Sequence, residues 1–203
     1  MSTTAAQTGA KRSRSNPGFK RQQILAEAVK IIGECGYNGF TISQLAARCN
    51  LTNAGLLHYF GSKEKLLVAL LEEHEVQETA AISSLFNVEG RTPTLAEVRR
   101  ALTTIVQRSS SQSEMVRLNT VLGAESLIPG HPAKAYFDSR EARGLEAFTA
   151  MLTAYTPDPQ ALARQLLATM AGLEAIWLRS DQQFDLTSEW EKALNQLLPS
   201  SSR

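Results

Sequence analysis

The chain has 203 residues, 43% of them hydrophobic, with 21 Lys or Arg against 20 Asp or Glu. That is enough for one substantial core, and no run of about 18 apolar residues exists to span a membrane. With only two cysteines, Cys35 and Cys49, and no metal-type spacing, disulfide-rich and zinc-binding classes fall away. The near-neutral total hides an asymmetry: residues 1–65 carry +6 and residues 66–203 carry −5. A basic first third on an acidic remainder suggests a polyanion partner for that third. Nothing at the N-terminus reads as a signal peptide, so a cytoplasmic protein with both thiols free and buried is expected.

In chain order, residues 1–16 hold nothing to bury and predict a disordered basic arm with Lys11, Arg12 and Arg14. Helical periodicity starts at Pro17 and runs through Ile24, Ala28, Ile31 and Ile32 to CGYNG, where Gly36 can take a left-handed cap. Thr41 caps a short helix over 42–48, Asn50 suits a tight turn with positive φ, and Thr52 caps a second short helix over 53–58. Ser62 caps a long helix reaching 86. Further helices are predicted over 94–108, 114–126, 133–155, 160–179 and 187–198, with mobile loops at 87–93 and 109–113. The sparse Gly and Pro, and the lack of period-2 alternation, make the fold all-α.

Two short helices joined by Cys49-Asn50-Leu51 have the length, caps and turn of a helix-turn-helix. A plain αα-hairpin fits the apolar pattern equally well. The outward set decides for DNA: Thr41, Thr52, Asn53, Ala54, Gly55 and His58, with Lys63 beyond, are small or hydrogen-bonding and none is anionic. Small residues on the first turn of a recognition helix let its backbone approach base edges, and the capped helix starts present amides to phosphates. Lys20 and Arg21 add cations for counterion release.

The ordered set RQQILAEAVKIIGECGYNGFT, ISQLAARCNLTNAGLLHYF and SKEKLL resembles the DNA-binding domain of the TetR family of bacterial transcriptional regulators. The resemblance covers about a quarter of the chain. It implies an all-α fold of about nine helices: an N-terminal three-helix helix-turn-helix DNA-binding domain at 17–61, then a larger helical ligand-binding and dimerisation domain at 62–203. It also implies a homodimer on double-stranded DNA, a repressor rather than an activator, released by a small molecule that the sequence does not name. Family members commonly place a phosphate-contacting Tyr where this chain has Leu57; His58 and Tyr59 are the neighbours able to take over.

A regulator of this kind needs a cavity in its larger domain. The candidate walls are Met115, Leu122, Phe137, Phe148, Met170, Leu173 and Trp177, with Asn119 and Glu125 as polar anchors. Each is equally explained as plain core. Helices 160–179 and 187–198 carry Ala168, Ala171, Gly172 and Ala175 with Ile176, Trp190, Leu194 and Leu197, a surface that a two-fold mate would cover unless it packs internally. His74 and Glu78 read as a solvated helix face rather than a metal pair, and His131 as a loop residue. No nucleophile elbow or phosphate loop is present, so no enzyme activity, metal or cofactor is expected. The remaining alternative is a small-molecule-binding or carrier protein without a DNA role.

Overall fold

The computed structural model describes residues 17–85 and 91–198, with side chains at 18–80 and 91–198. The basic arm at 1–16 and most of the loop after the fourth helix lie outside the described residues. Among those described, the structure is nine helices and no strand: α1 (Pro17–Gly39), α2 (Ile42–Arg48), α3 (Asn53–Phe60), α4 (Lys63–Leu85), α5 (Leu95–Ser111), α6 (Ser113–Glu125), α7 (Lys134–Leu152), α8 (Pro159–Arg179) and α9 (Leu186–Leu197). No described helix is long and apolar enough to cross a membrane.

Local chemistry explains most helix starts. The Thr41 hydroxyl accepts from Gln44 N at 3.2 Å while the Gln44 side chain accepts from Thr41 N at 2.9 Å, a reciprocal cap that starts α2. Asn50 turns the chain at φ 54. Thr52 then caps α3 through Gly55 N, and Ser62 caps α4 through Lys65 N, each at 3.0 Å. Asp158 and Asp185 do the same for α8 and α9.

Two cores follow. The first joins Ile24, Ala28 and Ile32 of α1 to Leu45, Leu56 and Phe60 of the two short helices and to Leu66, Leu67, Leu70 and Leu71 of α4. Leu118 and Leu122 of α6 belong to the same core, so its packing does not stop at residue 61. The second gathers Val98, Leu102 and Val106 of α5, Phe148 and Leu152 of α7, Leu166, Met170 and Trp177 of α8, and Trp190 and Leu194 of α9. Full burial of each large side chain contributes roughly 1.5–3 kcal/mol.

Several expectations are corrected. Gly36 has φ 74 but ψ 174, so it does not cap α1 in the left-handed helical form. It kinks the helix in a region open almost only to glycine. Segment 109–113 is not a loop, because α5 and α6 are separated by Gln112 alone. Cys49 is buried but Cys35 is exposed. His74 is 6% exposed, not on a solvated face, because α4 turns it towards α6. Trp190 and Leu194 pack inside the chain. The outward face of α8 carries Ala168, Ala171 and Gly172, with Ile176 at 54% exposure.

Candidate functional site

At the α2–α3 surface, Thr41, Thr52, Asn53, Ala54 and His58 are exposed, Gly55 and Tyr59 are half-buried, and Leu56 and Phe60 point into the core. Leu57 is half-buried as well. Asn53 Nδ2 donates to Ser43 Oγ at 2.9 Å, bracing one short helix against the other on their outer side. Gly55 has a local reason to be small: a β-carbon there would lie 3.2 Å from the Thr52 oxygen that caps the helix. Apart from a Leu51 methyl at 4.0 Å, nothing else is near. The first turn of α3 is therefore open, free of acidic side chains, and has positive backbone charge at its end. Ser43 and Gln44, exposed beside this turn, were not among the residues expected there; the capping pattern Thr-Ile-Ser-Gln was the signal for both.

Three cations assigned to phosphates are engaged within the fold. Lys20 Nζ donates to Cys49 O at 3.0 Å, at the negative end of α2. Arg21 pairs with Glu73 at 3.1 Å and lies over the Phe60 ring at 5.4 Å. Lys63 Nζ sits 4.5 Å from the centroids of both Tyr37 and Phe40. Burial lowers its pKa, against smaller opposing effects of Cys35 and Glu125. These side chains clasp α1, α2 and α4 together, so they shape the α2–α3 surface as well as charge it.

The nine pocket candidates do not line one cavity. Met115, Leu122 and Phe137 join the first core, whereas Phe148, Met170, Leu173 and Trp177 join the second. Glu125 Oε2 accepts from Tyr37 N at 2.7 Å and lies 3.6 Å from His131 Nε2, tying the end of α6 to the kink in α1. His131, the expected loop residue, is buried there with its ring edge-on to Tyr37 at 5.4 Å. An open groove of about 360 Å³ between α5 and α9, lined by Arg100, Thr103, Gln107 and Glu191, contains none of the nine.

Asn119 leads to a polar cluster that the sequence did not reveal. Its Nδ2 lies 3.3 Å from His74 Nε2, which is 3.5 Å from Glu78 Oε1. Arg140 of α7 grips both Glu78 oxygens, Nε to Oε2 and Nη2 to Oε1, each at 3.1 Å. Burial lowers the His74 pKa, against the opposing charge of Glu78. Burial also pushes Glu78 up, but the Arg140 charge and hydrogen bond outweigh it and hold this carboxyl below its ordinary range. Tyr136 is pushed up to about 12, chiefly by burial. Among the described residues, no three His, Cys, Asp or Glu side chains converge as a metal site.

The described residues form an all-α architecture led by a helix-turn-helix, and comparison with known proteins narrows the class. Residues 24–70 match the family model described as bacterial regulatory proteins, tetR family. Over 67 residues the chain is 34% identical to the HTH-type transcriptional repressor AcnR of Corynebacterium efficiens, covering 33% of this chain and 36% of that one. The chain thus spans about a third of the length of the curated relatives it first matches. The fatty acid metabolism regulator protein of Bacillus subtilis is 24% identical over 189 residues, covering 83% of this chain and 89% of that one. In fold, the chain resembles the crystal structure of the transcriptional regulator FadR from Bacillus subtilis in complex with stearoyl-CoA. That likeness has a TM-score of 0.71 at 17% identity, covering 87% of this chain and 97% of that one. The N-terminal head of this protein is thus similar to the bacterial regulatory proteins of the tetR family over residues 24–70.

Proposed function

We propose that this protein is a ligand-responsive transcriptional repressor that binds a palindromic operator as a homodimer and is released by a small molecule. The observation that carries the reading is the first turn of α3: exposed, uncharged, small, and held rigidly by a core on its other side. The regulatory names of the relatives, and the stearoyl-CoA bound by one structural neighbour, support the same role. Residues 1–16, 17–61 and 62–203 then act as arm, reading head and effector-and-dimer body. The outward stripe of α8, with the exposed side of α9, meets the mate, and the protein works in the cytoplasm without catalysing a reaction.

The helix α4 links the two tasks. Its first half, with Leu66, Leu67, Leu70 and Leu71, is set in the head's core, and Glu78 further along belongs to the polar cluster. A ligand that favours one tilt of α4 changes the spacing of the two recognition helices. Coupling of this kind is worth about 1–3 kcal/mol, roughly 5- to 150-fold in affinity, and acts reciprocally on the ligand.

The test is anisotropy of the purified protein on DNA fragments selected from its source genome, titrated with salt, beside the Gly55→Glu variant. Wild type should select an imperfect palindrome and lose affinity steeply as salt rises. The variant should lose at least about 100-fold, the scale of two bidentate base contacts, with its dimer and helical signal intact. Equal affinity for random DNA, or none at low salt, would leave a small-molecule carrier as the better reading.

A further inference from the structure

His74 stands on α4 one turn past Leu70 and Leu71, which belong to the head's core, and its ring is sealed from solvent. Two neighbours make opposite demands on its Nε2. Asn119 Nδ2 of α6 lies 3.3 Å away, and an amide nitrogen only donates, so this bond needs a bare Nε2. Glu78 Oε1, on α4 itself, lies 3.5 Å away, and a carboxylate only accepts, so it needs a proton on the same atom. One ring nitrogen cannot serve both.

The two bonds also differ in what they join. Asn119 is flanked on α6 by Leu118 and, one turn on, by Leu122, both in the head's core. Its bond to His74 therefore braces α4 against α6 directly beside that core. A bond from His74 to Glu78 stays within α4 and braces nothing. The charged groups facing the ring are Glu75 and Glu78 of α4, Arg108 of α5 and Arg140 of α7, while α6 offers the neutral Asn119. Burial opposes a charge on the ring most, the two arginines add to it, and the two carboxylates favour the charge.

We propose that His74 is a proton-driven toggle on α4: bare at Nε2 it ties α4 to α6 through Asn119, and protonated there it turns to Glu78 and releases α6. In the neutral ring the proton sits on Nδ1, and acid adds the second at the atom that accepts from Asn119. A charge-assisted bond to a carboxylate is roughly twice as strong as a neutral one, so the protonated Nε2 closes on Glu78, which shares Oε1 between His74 and Arg140. Acid thus removes a polar brace from α4 and leaves the aliphatic packing to hold it. The regulatory meaning rests on the reading of this protein as an operator-binding repressor: the spacing of its two recognition helices becomes sensitive to protons.

The experiment follows the full chain, isotopically labelled in its His and Asn side chains, by proton–nitrogen correlation from about pH 8 to about pH 5. At the alkaline end His74 should show a bare Nε2, and the Asn119 amide should carry the signature of its bond. Acid should protonate Nε2 and move the Asn119 signal to its free position over the same range. Asn119→Ala removes the bond that opposes protonation, so the His74 midpoint should rise by about half to one pH unit, the scale of one neutral hydrogen bond. A protonated Nε2 at the alkaline end, an Asn119 amide that turns over and keeps its tie to the charged ring, or an unmoved midpoint in Asn119→Ala overturns the toggle. Operator affinity is read on the same samples at constant ionic strength. Between the two ends, wild type should change at least about threefold more than His74→Gln, the scale of half a pKa unit; the glutamine keeps a neutral acceptor for Asn119, and His58 and His131 titrate in both proteins. Selective DNA binding with the same pH response in both sinks this inference and leaves the repressor standing. A toggle seen in a protein that does not select DNA supports the device and removes the repressor.

Discussion

The apolar core behind α3 and the polar cluster shared by α4, α6 and α7 are built on opposite principles. The core behind α3 is aliphatic and aromatic throughout, and its inward residues Ile24, Leu45, Leu56, Leu66 and Leu118 are all fully buried. The cluster shared by α4, α6 and α7 joins His74, Glu78, Asn119 and Arg140, with Asn119 Oδ1 left without a hydrogen-bond partner. A close-packed apolar core has one good arrangement and resists deformation. A partly satisfied polar network has alternatives close in energy, and what enters it can decide among them.

The largest expected effect comes from breaking the sealed core on the body's side. Leu118→Ala, at a fully buried position of α6, should cost about 3 kcal/mol in urea unfolding. Because Leu118 packs with α1 and α4, head and body should unfold in one transition, in the variant as in wild type. Two separated transitions in wild type would show that the cores are independent and that the contrast describes two domains rather than one unit.

A smaller effect is expected at the seam. Gly36→Ala would drive a β-carbon into the Glu125 carboxylate, with Oε1 well inside contact distance, in a conformation that L-residues avoid. A cost of about 1–3 kcal/mol follows from the backbone alone, and the bond from Tyr37 N to Glu125 is lost as the carboxylate moves. Gly130→Ala shares the positive φ, at +80, with nothing within 4 Å. The Gly36 variant should therefore lose more stability than the Gly130 variant; equal losses would reduce the seam to ordinary turn strain.

The smallest effect sharpens the polar side. His74 has its pKa lowered by burial from 6.5, so the unfolded chain takes up its proton first as the solution is acidified. The stability it contributes is full above about 6.5 and is lost as pH falls through the depressed folded value. Glu78, depressed from 4.5, acts in the same direction at lower pH, whereas Glu174, raised from 4.5, loses its contribution as pH rises. Comparing wild type with His74→Gln reads the imidazole together with its influence on Glu78. The variant should show the flatter stability curve between about pH 6.5 and 5; parallel curves would mean that His74 titrates as if exposed.

The reading head was legible because its signals are local. Thr41, Asn50, Thr52 and Ser62 each act within three or four residues, and each performs its expected turn or cap. The cations were legible as charges but not as contacts: Lys20 meets Cys49 across 29 residues and Arg21 meets Glu73 across 52. The polar cluster depends on Arg140 reaching Glu78 across 62 positions, which no period records. The serines at 109–111 looked like a loop, yet Ser110 and Ser111 hydroxyls donate to the carbonyls of Gln107 and Arg108, satisfying themselves inside a helix. Trp190 and Leu194 were apolar on a regular face, and the pattern alone could not say whether α5 or a second chain would cover them.

The intrusion of α6 into the head's core bears on how such proteins can be recombined. A reading head transplanted onto a foreign body at residue 61 would leave behind Leu118 and Leu122, and with them the carboxylate that receives Tyr37 N. The graft would expose the α1 flank that those leucines cover, and its helix-turn-helix would be presented on an unfinished floor. Hybrids that exchange operator preference should therefore carry α6 with the head, or confine the exchange to the outward residues of α2 and α3. On the proposed function, new DNA specificity is most easily reached by changing the surface at 41–58 while the floor beneath is inherited whole.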